Sequence, residues 1–159
     1  MNHLESLLAE WYEIQGYLVT RNIKIDKRDK GGYNSEIDVL AFHPKKNEWI
    51  QIETSMDTYS WPKRIERIEK KFKHARDFVA KEYGEKAAIG LKQEFVLVYG
   101  NADDKKLKRG SIVLAKYKIQ EILKFIQTGH SEIDRELISE NYPLLRTLQF
   151  ANHYYPNIL

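Results

Sequence analysis

Acidic residues gather in one short stretch of this chain. Glu36 and Asp38 lie in Glu36-Ile37-Asp38-Val39-Leu40-Ala41, and after a polar turn Glu53 lies in Trp49-Ile50-Gln51-Ile52-Glu53-Thr54-Ser55. Alternation along a strand puts Glu36 and Asp38 on one face. It puts Gln51, Glu53 and Ser55 on one face of the second segment, with Ile50 and Ile52 opposite. Carboxylates paired at strand ends offer the hard oxygen ligands that a magnesium-like cation takes. Such a cation can polarise a substrate and make a bound water nucleophilic.

Other chemistries have less to stand on. The chain has no cysteine, so disulfides and thiolate metal sites are excluded, and a reducing, cytoplasmic location is expected. His3, His43, His74, His130 and His153 show no metal-ligand spacing. There is no Gly-Lys-Ser/Thr phosphate loop and no dinucleotide fingerprint, so no nucleotide cofactor is expected. No apolar run approaches a membrane span, and Met1 to Tyr12 does not read as a signal peptide; no membrane partner is expected.

The elements that must position the acids follow from periodicity. At 159 residues the chain is expected to form one domain, 1–159, with a core over 3–128 and a helical tail over 129–159. Leu4, Leu7, Leu8, Trp11 and Ile14 predict a helix over 2–15 ended by Gly16. Tyr17 to Ile25 reads as a strand, 26–35 as a loop, and the two acidic segments as a hairpin turning at 43–47. Trp61, Ile65, Ile68, Phe72, Ala75 and Val79 form the apolar stripe of a long helix with Pro62 in its first turn. Glu94 to Tyr99 and Ser111 to Ala115 predict two further strands, and Ile119 to Ile126 a helix ending near Gly129. Ser131 before Asp134, and later Pro143, mark helix starts in the tail. The order gives an α/β protein built on a mixed sheet.

Charge is the second feature. The total, +3, is modest, but between Lys63 and Arg76 seven basic residues stand against Glu66 and Glu69. Such a surface holds phosphates without sequence preference. Arg21, Lys24, Lys27, Arg28 and Lys30 make a second basic stretch, and Lys105, Lys106, Lys108 and Arg109 a third. If all three border the acidic strands, they form a nucleic-acid groove. The plainer alternative is a solvated helix face, with Glu66 and Glu69 paired to Lys70 and Lys73, and a solvated acidic hairpin. Tyr142, Phe150, Tyr154 and Tyr155 in the tail read as core or dimer contacts, which leaves a homodimer open.

Over roughly residues 3–100, the order of elements and its acids resemble the PD-(D/E)XK nuclease superfamily. This is the restriction-endonuclease-like fold, and the likeness extends to its Holliday-junction resolvases and small uncharacterised nuclease-like families. Three pieces carry the resemblance: Glu5 ahead of Gly16-Tyr17, the strand holding Asp38, and Glu53 fifteen residues further on. It implies a three-layer sandwich, a central mixed sheet flanked by helices, and a metal-dependent endonuclease that hydrolyses DNA phosphodiester bonds. It also implies Asp38, Glu53 and the main-chain carbonyl of Thr54 as ligands of Mg2+ or Mn2+, with Glu5 reaching the same cluster. The DNA contacts would come from Lys27, Arg28, Lys30, Lys63, Arg64 and Arg67.

The family keeps a lysine two residues after the strand glutamate, and here that catalytic position holds Ser55. Three readings follow. A cation could come from elsewhere, with Lys63, Arg64 or Lys30 the nearest sources. The register could slip, with Gln51 at the glutamate position and Glu53 at the lysine position. Or the chain could be a catalytically inactive nuclease-fold protein, a nucleic-acid-binding or assembly module. The fifteen-residue spacing favours the first register.

Overall fold

The computed structural model of the chain describes residues 2–100, 105–128 and 138–155. Its first helix, α1 (His3–Ile14), is set by a capping box: the Asn2 side chain accepts the Glu5 N–H at 2.9 Å, and the Glu5 carboxylate accepts the Asn2 N–H at 3.0 Å. Gly16, at φ 88°, turns the chain into the first strand, a left-handed conformation that an L side chain resists.

Three strands follow as an antiparallel meander: β1 (Leu18–Lys27), β2 (Tyr33–His43) and β3 (Glu48–Ser55). A 23-residue helix, α2 (Trp61–Tyr83), and a short α3 (Glu85–Gly90) cross to β4 (Lys92–Leu97), which lies parallel to β3. β5 (Ser111–Leu114) adds in parallel at the edge, and α4 (Ala115–Thr128) and α5 (Pro143–Tyr154) complete the described chain. The sheet runs β1-β2-β3-β4-β5, so the expected α/β class and mixed sheet are present.

Strand alternation sorts the sheet's side chains between two sets of partners. Val39, Ala41, Ile50, Ile52 and Val96 pack with Leu4 and Leu8 of α1, Ile122 of α4 and Leu145 of α5. Phe95 and Leu97 pack with Ile68 and Phe72 of α2, and Leu40 with Ala75 and Val79 further along that helix. Burial of this apolar surface contributes roughly 1.5–3 kcal/mol per large side chain. It is what holds α2 against the β2–β3–β4 face.

Boundaries differ from expectation for local reasons. β2 begins at Tyr33 because Ser35 and Tyr33 pair with Ile25 and Lys27, and Asn34 donates to Asp26 at 2.8 Å, so much of the expected loop is ladder. In α2 the first turn is rotated: Arg64 is buried at 5% exposure, whereas Ile65 is half-buried. β4 starts at Lys92 rather than Glu94, and α4 follows β5 directly at Ala115. The helix start at Ser131 and Asp134 lies outside the described residues.

Candidate functional site

The register Val39 to Ile52 brings Asp38 and Glu53 side by side, one residue beyond that pair. Both side chains face α2. Glu53 Oε1 accepts the Asp38 N–H at 3.3 Å and the Gln51 amide at 2.8 Å, and Asp38 Oδ2 accepts the Thr54 N–H at 3.0 Å. Each carboxylate therefore has one oxygen fixed by the sheet. Asp38 Oδ1 and Glu53 Oε2 remain, and they converge on a single cation, the ammonium of Lys71 in α2, which donates to Asp38 Oδ1 at 3.1 Å and to Glu53 Oε2.

Burial sets the electrostatics. Glu53 is 1% exposed, and desolvation pushes its carboxyl up to about 8, with the Asp38 charge adding to the effect and Lys71 opposing it. For Lys71 burial acts to lower the ammonium, but the charges of Glu53 and Asp38 outweigh it and hold it above its ordinary value. Lys71 is thus a fixed positive charge rather than a base.

The nearer cation sources named from the sequence do not reach the carboxylates. Arg64 is spent on the loops around it: it donates to Asp57 Oδ1 at 3.1 Å, to the Asp57 carbonyl and to the Tyr99 carbonyl at 3.2 Å. Lys63 and Lys30 are exposed to solvent. Lys71 lies seven residues after Arg64, two helical turns, and so occupies the same side of α2 lower down, level with Asp38. A signal existed: 71 is three residues from Ile68 and four from Ala75, beside the buried stripe, whereas Lys63, Lys70 and Lys73 are exposed.

Ser55 is buried beside Glu53, and its hydroxyl accepts the Asp57 N–H at 3.2 Å, closing the turn that leaves β3. Gln51 is fully buried and hydrogen-bonds to Glu53; its contacts are those of a support for that glutamate. Glu5 belongs to the other side of β3. Its Oε1 accepts the Thr54 hydroxyl at 3.1 Å and the Asn2 amide, which ties the start of α1 to the strand that carries Glu53.

Two hollows flank Lys71. A small cavity of about 60 Å3 is lined by Glu53, Thr54, Ser55, Arg64, Arg67 and Lys71. A groove of about 560 Å3, which shares Arg67 and Lys71 with it, is lined also by Lys24, Glu36 and Lys70. Of the basic residues named for DNA contact, Arg67 lies at the junction of the two, 64% exposed and 3.5 Å from Asp57. Lys27 and Arg28 are exposed on the β1–β2 end, where Arg28 donates to Asn34 at 2.8 Å. Lys24, Lys70 and Lys71, which belong to the basic stretches but not to the residues named for DNA contact, line the groove as well. In the third basic stretch, Lys108 pairs with Glu69 at 3.5 Å and Arg109 donates to the Ile89 carbonyl at 3.1 Å.

The donor set fits a hard cation. Two carboxylate oxygens from neighbouring strands already converge on one positive charge, and magnesium commonly takes one or two protein carboxylates, completing its shell with water and phosphate oxygen. Among the described residues no group of three or more His, Cys, Asp and Glu side chains is arranged for a metal, so Glu5 does not join the pair as a third ligand.

No protein-family model matches the chain, and no curated protein does. Among solved structures, the crystal structure of the small subunit of a heterodimeric restriction endonuclease is similar over 92% of this chain and 88% of that one, at 15% identity and a TM-score of 0.39. No helix among the described residues is long and apolar enough to cross a membrane.

Proposed function

We propose that the chain is a metal-dependent endonuclease of the restriction-endonuclease-like, three-layer fold, hydrolysing DNA phosphodiester bonds with Mg2+ or Mn2+. The observation that carries this is the convergence of Asp38 Oδ1 and Glu53 Oε2 on the ammonium of Lys71, a residue that also lines a basic groove. It supplies two hard ligands and the cation that Ser55 cannot.

Asp38 and Glu53 would hold the metal, with the Thr54 carbonyl as the further oxygen suggested by the family resemblance. When bound, the ion supplies charge neutralisation at the phosphate and a water of lowered pKa. Lys71 keeps its proton, so its part is to donate hydrogen bonds to the attacking water or a phosphate oxygen and to offset developing negative charge. Arg67, Lys70 and Lys24 would hold neighbouring phosphates along the groove. DNA cleavage with Mg2+ or Mn2+ is the expected result, lost in Asp38→Asn and Glu53→Gln proteins that keep the wild-type circular dichroism spectrum. Undiminished cleavage by both variants would sink the reading.

One observation favours a second reading, a noncatalytic nucleic-acid-binding module. Lys71 by itself places a cation between the carboxylates, as a protein with no need of metal would require. Calorimetric titration with Mn2+ in the presence of DNA separates the two, since the binding module gives no heat.

A further inference from the structure

We propose that Gln51, Gln93 and Arg76 form a positioning relay that fixes the orientation of the Glu53 carboxyl group toward the cation. Gln51 and Gln93 are 0% and 3% exposed, at adjacent places on β3 and β4. Gln51 Nε2 donates to Glu53 Oε1 at 2.8 Å. Its Oε1 in turn accepts from Gln93 Nε2, which also donates to the Phe72 carbonyl of α2 at 2.8 Å, and Gln93 Oε1 accepts from the Arg76 guanidinium.

The α2 end dictates the polarity of this chain of bonds. The Arg76 guanidinium can only donate and the Phe72 carbonyl can only accept, so Gln93 has one allowed orientation, and its NH2 group in turn fixes that of Gln51. Gln51 must turn its NH2 to Glu53, Gln93 must turn its NH2 to Gln51, and Arg76 must meet the remaining carbonyl. With Gln51 and the Asp38 N–H both on Oε1, that oxygen is engaged twice and Oε2 is the one presented to Lys71. An apolar pair at 51 and 93 would fill the β3–β4 face without two buried amides, each of which destabilises the fold if left unpaired. What the polar pair adds is a link from half-buried Arg76 of α2 to the Glu53 carboxyl group.

The catalytic consequence rests on the nuclease reading; the geometric one does not. Partners of metal-ligating groups typically change metal affinity or activity by about 10- to 100-fold when lost. Gln93→Leu is therefore expected to weaken Mn2+ binding by that factor in calorimetry, with the KM for DNA unchanged. Arg76→Met should act in the same direction, and Arg76→Lys, which keeps a cationic donor, should restore most of the loss. In metal-free protein labelled with 13C at glutamate carboxyls, the Glu53 resonance, assigned by its disappearance in Glu53→Gln, should shift in Gln93→Leu and Arg76→Met. An unshifted Glu53 resonance in both variants overturns the relay. A shifted resonance in a protein that binds no Mn2+ and cuts no DNA upholds the relay and sinks the nuclease reading. Should Gln93→Leu fail to fold, Arg76→Met and Arg76→Lys, at the more exposed end, decide alone.

Discussion

Lys71 is the side chain on which the proposed chemistry depends most. Replacing it with methionine keeps most of the stem's packing and removes the charge, leaving two carboxylates facing each other. Loss of one preorganised donor to developing charge typically costs about 10²–10³-fold, and that is the expected fall in cleavage rate. Glu53 has a pH signature of its own. Its carboxyl is raised from the ordinary 4.5 to about 8 in the fold. Below 4.5 the folded and unfolded states are both protonated there. Between the two values the folded state holds the extra proton, so stability falls as pH rises through this window. Urea melts of metal-free protein at pH 5 and pH 8 should show that decline, and Glu53→Gln should flatten it; an unchanged slope would mean Glu53 is ionised as freely inside as outside. Asp38 and Glu53 were legible in the sequence because a strand has period two, which fixes faces without knowledge of the rest of the fold. Lys71 is legible only in part: its spacing sets it beside the apolar stripe, but which turn of a helix lies over a given strand residue depends on the length and angle of the crossover.

Among the elements, the rotation of the first turn of α2 explains why Arg64 serves the neighbouring loops and not the carboxylates. Its guanidinium ties the loop after β3 to the loop after β4, so Arg64→Ala should destabilise the protein by about 2 kcal/mol, the usual scale for charged hydrogen bonds, measured by urea melts. Lys63→Ala, on the exposed face, should change stability little. With Lys71 already on the carboxylates and Ser55 buried under α2, Ser55→Lys should fail to raise cleavage and should lower Tm; a faster enzyme would show that the position two residues after Glu53 still wants the charge. Gly110 marks the other contact with α2. A Cβ there would lie 2.6 Å from the Phe72 ring, on a backbone at φ 83°, so Gly110→Ala should cost about 1–3 kcal/mol by overpacking. The long stripe of α2 and the hairpin were readable from periodicity. The six residues of α3 are too few to show one, and the start of β4 was missed because Lys92 and Gln93 are polar, Gln93 being buried only by virtue of its partners in the relay.

For the whole molecule, the net charge understates what the fold does with it. Lys24 from β1 and Arg67, Lys70 and Lys71 from α2 line one groove, although they are distant in sequence. Each phosphate contact contributes about one unit to the dependence of log K on log salt, so Lys24→Ala, Arg67→Ala and Lys70→Ala should each lower that slope by about 1. Lys81→Ala, 82% exposed at the far end of α2, should leave it unchanged. Fluorescence anisotropy with labelled DNA over a salt series checks this, and equal slopes for all four variants would remove the groove from the account. Mg2+- and Mn2+-dependent DNA cleavage, measured for the wild-type chain and Lys71→Met side by side, decides whether this site is a nuclease centre. The wild type should cut, chelation should stop it, and Lys71→Met, folded as the wild type, should be at least about 100-fold slower. A wild type that leaves linear, single-stranded and branched DNA intact in both metals, or a Lys71→Met protein that cuts at the wild-type rate, would contradict that reading.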